Sequence, residues 1–278
     1  MQLNELIRLA LAEDLGEGDH SAKACIPENS NQKAFIYAKS DGVLSGIAVA
    51  CEVFKQVDPV LEIEPVKTDA EPVANGDKVM LIKGSARSIL AGERLALNFL
   101  QRMSGVAGLT RQFVEAVEGT GVKILDTRKT TPLLRALQKQ AVLHGGGENH
   151  RFGLYDMIML KENHIAFAGG ISKALDAVKK YQQENNTNLQ VEIETRNIDE
   201  VREVLKNEVA NRIMLDNFTV EEAKKAVQLI DKRMETEISG GINLSTVRSY
   251  AETGVDFISV GALTHSAPIL DLSLLAED

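Results

Sequence analysis

The chain is written in two hydrophobic rhythms. It begins MQLNELIRLALAEDLGEGD, where apolar residues recur at helical spacing and acids fill the gaps, predicting an amphipathic acidic helix. From about Asn31 to Arg87 the runs are short and alternating. AFIYAKSDGVLSGIAV and LEIEPVKTDAEPVANGDKVMLIKGSA predict strands joined by tight turns, the clearest at Ser40-Asp41-Gly42 and Asn75-Gly76-Asp77. Ile89 to Met103 then predicts a long helix, with Leu95, Phe99 and Leu100 following Ile89 and Leu90 near helical spacing. These segments make a small strand-rich first domain closed by that helix.

After about Gly108 the rhythm changes. Apolar runs of about five residues (VKILD, YDMIML, LQVEIE, NRIML, METEIS, VDFISV) alternate with helical stretches at Thr131–Leu143, Ser172–Glu184, Ile198–Lys206, Thr219–Asp231 and Leu244–Thr253. Strand then helix, repeated about six times, predicts parallel strands with crossover helices. No G-x-G-x-x-G follows the first run, so a closed barrel fits better than a dinucleotide-binding sheet. Fewer than eight strands are expected.

Composition narrows the function. The 278 residues carry a net charge of −9, which argues against a general nucleic-acid binder but leaves room for a local cationic pocket. Aromatic content is 4% with no Trp, so the core is aliphatic. Cys25 and Cys51 lie in no metal-ligand spacing and read as free thiols of a reducing, cytoplasmic compartment. The N-terminus has neither the basic nor the apolar region of a signal peptide, and no apolar run approaches the length of a membrane span.

Chemistry gathers where the apolar runs end. VKILD leads to Thr127-Arg128-Lys129-Thr130, YDMIML to Lys161-Glu162-Asn163-His164, and VEIE carries Glu192 and Glu194. RIML leads to Asp216-Asn217, TEI to Ser239-Gly240-Gly241, and FISV to Gly261. The C-terminal strand ends of a parallel barrel share one face, where active sites form. Taken singly, Asp216, Ser239 or Thr130 reads as a helix cap or turn residue, Lys161 as a solvated lysine and Glu194 as a solvent-facing glutamate. Taken together, cations follow the first strands, carboxylates the middle ones and glycines the last. That order suggests an anion site, a hydroxyl or metal site, and a phosphate site on glycine loops before helices. The stretch HGGGENHRFGLYDMIMLKENH, His144 to His164, holds three of the five histidines. Gly145–Gly147 read either as a helix end or as a bend that lets His150 and Arg151 reach the barrel mouth. With Arg128, Lys129 and Lys161 they form a cation set suited to a small diacid.

These residues carry a resemblance. EDLGEGDHS at Glu13–Ser21, GERLALNFLQRMSGVA at Gly92–Ala107 and the block from Asp126 to His164 are similar to the quinolinate phosphoribosyltransferase family, as are VEIET, IMLDNF, SGGIN and SVGALTHS. The resemblance implies an N-terminal α/β sandwich over residues 1–108 and an incomplete, seven-stranded parallel α/β barrel over 109–267. The tail 268–278 would return to the first domain. About six strands are legible, so one is irregular.

The implied reaction joins quinolinate to phosphoribosyl pyrophosphate with Mg²⁺, releasing pyrophosphate and carbon dioxide and giving nicotinate mononucleotide. Arg128, Lys129, His150, Arg151 and Lys161 would hold the two carboxylates, with Thr127 beside them. Arg94 would be donated across a homodimer interface, in a dimer or a higher oligomer. Glu194 and Asp216 would hold the ribose hydroxyls, directly or through Mg²⁺, and with Lys129 and Lys161 form the catalytic set. Ser239, Gly240, Gly241, Ser259 and Gly261 would cradle the 5-phosphate. The interval between Glu194 and Asp216 departs from the family pattern by about one residue, which leaves Glu192 open as an occupant of the glutamate role. Two other readings stand beside this one: a barrel aldolase with Lys161 as Schiff-base nucleophile, and a non-catalytic relative that keeps the fold, as molybdenum-associated proteins do.

Overall fold

The computed structural model describes residues 2–277. The chain forms two compact units. The first comprises Met1–Arg111, Thr131–Gly146 and Ser266–Asp278; the second comprises Gln112–Thr130 and Gly147–His265.

The first unit opens with α1 (Leu3–Leu15), α2 (His20–Cys25), β1 (Asn31–Ala38), β2 (Gly42–Val43), α3 (Ile47–Val57), β3 (Glu62–Pro65), β4 (Pro72–Val73), β5 (Lys78–Ser85) and α4 (Ala86–Ala116). The second rhythm gives β6 (Lys123–Leu125), α5 (Arg135–His144), β7 (Ile158–Leu160), α6 (Glu162–Ala168), α7 (Ile171–Asn185), β8 (Val191–Thr195) and α8 (Ile198–Val204). Then follow β9 (Arg212–Asp216), α9 (Val220–Ile230), β10 (Glu235–Ser239), α10 (Val247–Ala251), β11 (Phe257–Ser259), α11 (Ala262–His265) and β12 (Leu272–Glu277).

In the first unit an antiparallel sheet runs in the order β12-β1-β5-β3. The C-terminal tail supplies its edge strand, with Ala34 opposite Ala276. α1 buries Ile7 and Leu11 and packs against α3. α3 corrects the expectation of a strand at GIAV. Ile47, Val49, Ala50, Val53 and Phe54 are buried at helical spacing, and β-branched residues made that run look extended. Its start is fixed from outside, because the Asp69 carboxylate accepts the N–H groups of Gly46 (2.7 Å) and Ile47 (2.9 Å). A cap supplied from twenty residues downstream has no local sequence signature.

α4 is longer than the expected Ile89–Met103, at 31 residues. The change of rhythm expected at about Gly108 falls inside this helix, with no break there. Gly105 is a contact point: a Cβ there would fall on the carbonyl of Pro268, so glycine lets the returning tail lie against the helix. Leu95, Phe99 and Leu100 are buried as their spacing predicts, and Val106, Ala107 and Phe113 extend the stripe. α5, expected with the barrel from its place in the chain, groups with the first unit.

The second unit holds a six-stranded parallel sheet in the order β6-β11-β10-β9-β8-β7. Four of the six strands fall inside the apolar runs, and β8 and β9 run one residue beyond theirs. An isolated parallel bridge joins Glu148 to Leu125 beyond β6. There Glu148 donates its N–H to the carbonyl of Ile124 (2.8 Å) and accepts from Asp126 (3.2 Å). α7, α8 and α9 match three expected helices to within a few residues. α10 is shorter than Leu244–Thr253, and α6 was not expected. Asn197 caps α8 by accepting from Glu200, and Thr219 with Glu222 forms a capping box on α9. Both cysteines are free. Among the described residues, no helix is long and apolar enough to cross a membrane.

Candidate active site

The C-terminal ends of the parallel strands surround a cavity of about 460 Å³. It is lined by Thr127, Arg128, Lys129, His150, Arg151, Lys161, Glu194, Asp216, Ser239, Gly240, Gly241 and Ser259, and also by Met159, Met214, Asn217 and Glu237. Sequence positions more than 130 residues apart therefore meet, because every strand of the sheet delivers its last residues to one face.

The cations come from two loops. After β6, Lys129 donates its N–H to the Thr127 hydroxyl (3.1 Å), and Thr264 donates to the Lys129 carbonyl (2.8 Å), tying this loop to α11. Gly261 does not line the cavity; a Cβ there would press on the Lys129 stem and the His265 ring. Its small size thus serves the placement of Lys129. The second loop precedes β7. Asp156 accepts the N–H groups of Phe152 (2.6 Å) and Gly153 (2.8 Å), and the Arg151 guanidinium donates to the Met157 carbonyl (3.2 Å). Burial lowers the Arg151 pKa, and the neighbouring Arg128 lowers it further. Two guanidinium groups thus stand close enough to repel each other.

The carboxylates face them from β8 and β9. Burial raises the pKa of Glu194, and Asp216 raises it again, while Lys161 opposes both. Asp216 is also raised chiefly by burial; it accepts from the Asn217 side chain at 2.7 Å, and Lys161 and Lys129 hold it down. Glu194 lies at the mouth. Glu192, two residues earlier on the same side of the strand, is fully buried beneath it.

Gly240 and Gly241 have φ of 100° and 64°, and a Cβ at Gly240 would collide with the Asn217 side chain. The expected helix directly after them begins only at Val247. The loop backbone, rather than a helix N-terminus, is what these glycines expose.

The three histidines of the central stretch have three different settings. His144 pairs with Ser45 (2.8 Å) in the first unit, and His164 accepts the Lys161 N–H (3.0 Å) at the start of α6. The His150 ring turns inward. Its Nδ1 accepts the N–H of Arg151 (2.7 Å), and its Nε2 lies 2.9 Å from Glu192 and 3.4 Å from Glu237. Burial works against an imidazolium there, but the two glutamates outweigh it and raise the pKa to about 9. Burial and Glu237 push Glu192 up to about 7. The cluster keeps a proton that the same groups would release to neutral water. With Nδ1 accepting, the ring has no room for a second N–H there, so the extra proton of the pair is held between Nε2 and Glu192.

Among the described residues, His150, Glu192 and Glu237 are the one group of three with metal-ligand geometry. Arg212 already neutralises Glu237 at 3.0 Å, and the ring sits at hydrogen-bond distance from Glu192, so these groups bind one another. Glu237 was missed from sequence. Its signal is that Glu235 and Glu237 repeat the two-residue alternation of Glu192 and Glu194 in an otherwise buried strand. Arg94 lies exposed on α4, in the first unit.

Comparison with known proteins gives this geometry a family. Residues 106–275 match the model of the quinolinate phosphoribosyl transferase C-terminal domain, and residues 19–104 match that of the N-terminal domain. A quinolinate phosphoribosyltransferase [decarboxylating] 2b, mitochondrial, of Nicotiana tabacum is 47% identical over 98% of this chain and 81% of its own length. A probable nicotinate-nucleotide pyrophosphorylase [carboxylating] of Bacillus subtilis is 41% identical over 99% and 93%. The solved structure of the nicotinate-nucleotide pyrophosphorylase from Francisella tularensis superposes with a TM-score of 0.94 at 40% identity, covering 99% of this chain and 96% of that one. With both domain models matched and relatives of this identity along nearly its whole length, the chain belongs to the quinolinate phosphoribosyltransferase family.

Proposed function

We propose that the chain transfers the phosphoribosyl group of phosphoribosyl pyrophosphate to quinolinate and decarboxylates the product, yielding nicotinate mononucleotide, pyrophosphate and carbon dioxide for NAD biosynthesis. The observation that carries this reading is the pair of mutually repelling guanidinium groups, Arg128 and Arg151, set opposite the mutually repelling carboxylates Glu194 and Asp216. A dianion relieves the first repulsion and a cationic centre the second. Quinolinate brings two adjacent carboxylates, and a ribose losing pyrophosphate develops positive charge. Family membership leaves no support for the aldolase or the non-catalytic reading.

In this assignment Arg128, Lys129, Arg151 and Lys161, with Thr127 and Arg94 of the partner subunit, fix the diacid so that its ring nitrogen faces the ribose C1. His150 belongs with them, through its backbone and its contact with Arg151. Glu194 and Asp216 hold the ribose hydroxyls and stabilise the charge that grows as the bond to pyrophosphate breaks. Ser239, Gly240, Gly241 and Ser259 offer hydroxyls and an unobstructed backbone to the 5-phosphate, with Gly261 behind Lys129. The ring nitrogen then carries a positive charge. It stabilises the electron pair left on the adjacent carbon when carbon dioxide departs, and that carbon takes a proton from solvent.

The repelling carboxylates also fit a divalent cation. Mg²⁺ held by Glu194 and Asp216, directly or through water or substrate, would neutralise charge on the leaving pyrophosphate. The protein's own residues do the positioning.

The finer architecture follows the same reading. The Glu148 bridge beside β6 supports an irregular seventh strand and an incomplete barrel. The catalytic domain spans residues 109–267 and the sandwich domain 1–108 with the tail. A homodimer or larger assembly is supported by α6, which buries none of its own residues and leaves Phe167 90% exposed. Two free thiols suit a cytoplasmic setting.

The test is an assay of the purified chain with quinolinate, phosphoribosyl pyrophosphate and Mg²⁺. Nicotinate mononucleotide, pyrophosphate and carbon dioxide should form in equal amounts. Turnover of nicotinate or another mono-acid in place of quinolinate would overturn the substrate assignment.

A further inference from the structure

The inward turn of His150 leaves a question about what holds Arg151. The loop from Gly147 to Met157 has no helix and only one bridged residue, yet it carries a guanidinium of the mouth. Below it lies a chain of charges on three strands, fully buried at Glu192 and Glu237 and reaching the surface through Arg212 and Glu235. His150 donates its backbone N–H to Asp126 at the end of β6 (2.9 Å). Its Nε2 faces Glu192 on β8 and Glu237 on β10. Glu237 is bridged by Arg212 of β9 at 3.0 Å, and Arg212 also donates to Glu235 at 2.9 Å while stacking on Phe257 at 3.8 Å. Asp126, Glu192 and Glu237 have no solvent exposure.

Burying charged groups is costly unless each is paired, and leaving one partner uncompensated costs more than replacing the whole set by apolar residues. An aliphatic barrel interior would be the cheaper way to fill this space. What the polar chain supplies and Leu or Ile would not is direction. The strands fix the carboxylates, the carboxylates stand against the Nε2 edge of the imidazole, and the imidazole accepts the N–H of Arg151.

We infer that Glu192, Glu237 and Arg212 are positioning residues which act through the His150 ring to fix the backbone of Arg151, and so set the affinity of the mouth for its diacid substrate. The inference rests on the phosphoribosyl-transfer reading. It assigns His150 a role that does not require a ring nitrogen to touch the substrate, because both face protein groups. The groups that face the ring include Arg151, Glu192 and Glu237, with Arg212 behind them.

The test uses the full chain and measures KM for quinolinate and for phosphoribosyl pyrophosphate separately. His150→Leu removes the acceptor and should raise the quinolinate KM about tenfold, the effect of losing one net hydrogen bond that aligns a ligand. The KM for phosphoribosyl pyrophosphate should stay within about twofold. His150→Asn places an amide oxygen near the position of Nδ1 and should recover most of the loss. Glu192→Gln, close in shape, should raise the quinolinate KM about threefold. Placed on an Arg151→Ala background, none of these changes should raise the quinolinate KM further, since the residue they act through is gone. Additive effects on that background would overturn the inference, as would equal losses for both substrates or no rescue by Asn. If His150→Leu does not fold, Glu192→Gln with and without Arg151→Ala decides the matter alone. A wild-type chain that forms no nicotinate mononucleotide refutes the underlying reading; an active wild type with an unchanged quinolinate KM in the variants refutes only this inference.

Discussion

Arg128 against Arg151 and Glu194 against Asp216 are two local conflicts that the fold keeps. Such conflicts lower stability and are retained where a ligand resolves them. The His150 cluster is a conflict of another kind, and its pH dependence has a definite sign. The folded-state pKa of His150 is raised from 6.5 to about 9 and that of Glu192 from 4.5 to about 7, so the folded chain binds more protons than the unfolded one. Stability from the His150–Glu192 pair is therefore fully present only below about pH 4.5 and is lost as pH rises to about 9. Denaturant unfolding should show a fall in stability across that range, and Glu192→Gln should reduce it. A profile that is flat in the parent chain would contradict the assignment. Sequence alone could nominate Arg128, Glu194 and Asp216, because each lies at the end of an apolar run, and Arg151, because it stands beside His150 just before one. It could not orient His150, since the direction of a ring depends on carboxylates brought by strands some forty and ninety residues away.

The elements that were legible are those whose burial is periodic. Six apolar runs became six parallel strands, and α7 and α9 follow their predicted bounds closely. The elements that were not legible draw their reasons from elsewhere. α3 starts where Asp69 caps it, and α4 continues through Gly105, which makes room for the tail. α6 lacks a buried face, so no stripe could announce it. Its apolar side chains then need another surface. Replacing the 90% exposed Phe167 with Asp should leave secondary structure intact and shift the proposed dimer toward monomer in light scattering at micromolar concentration. No change in mass at any concentration would remove α6 from the interface.

Taken whole, the molecule is acidic but gathers Arg128, Lys129, Arg151 and Lys161 in one cavity, which suits small anions rather than a polyanion. If Arg94 of the partner subunit completes that cavity, inactive Arg94→Ala and inactive Lys161→Ala chains should restore activity when mixed and allowed to exchange. Random mixing of two such chains gives at most about a quarter of the parent activity, because half the dimers are mixed and each has one intact site. No recovery, in mixtures shown to contain hybrids, would place Arg94 outside the site. The topology has a consequence for how the chain comes into being. Strand β12 forms the edge of a sheet beside β1, and every strand of the parallel sheet lies between the two in the chain. On the ribosome the first unit must therefore wait with an unpaired edge until the parallel strands of the second have already emerged. Strand β12 thus acts as a completion signal: a chain interrupted before Leu272 carries every strand of its parallel sheet and an open flank on its antiparallel one, a ready target for aggregation or proteolysis.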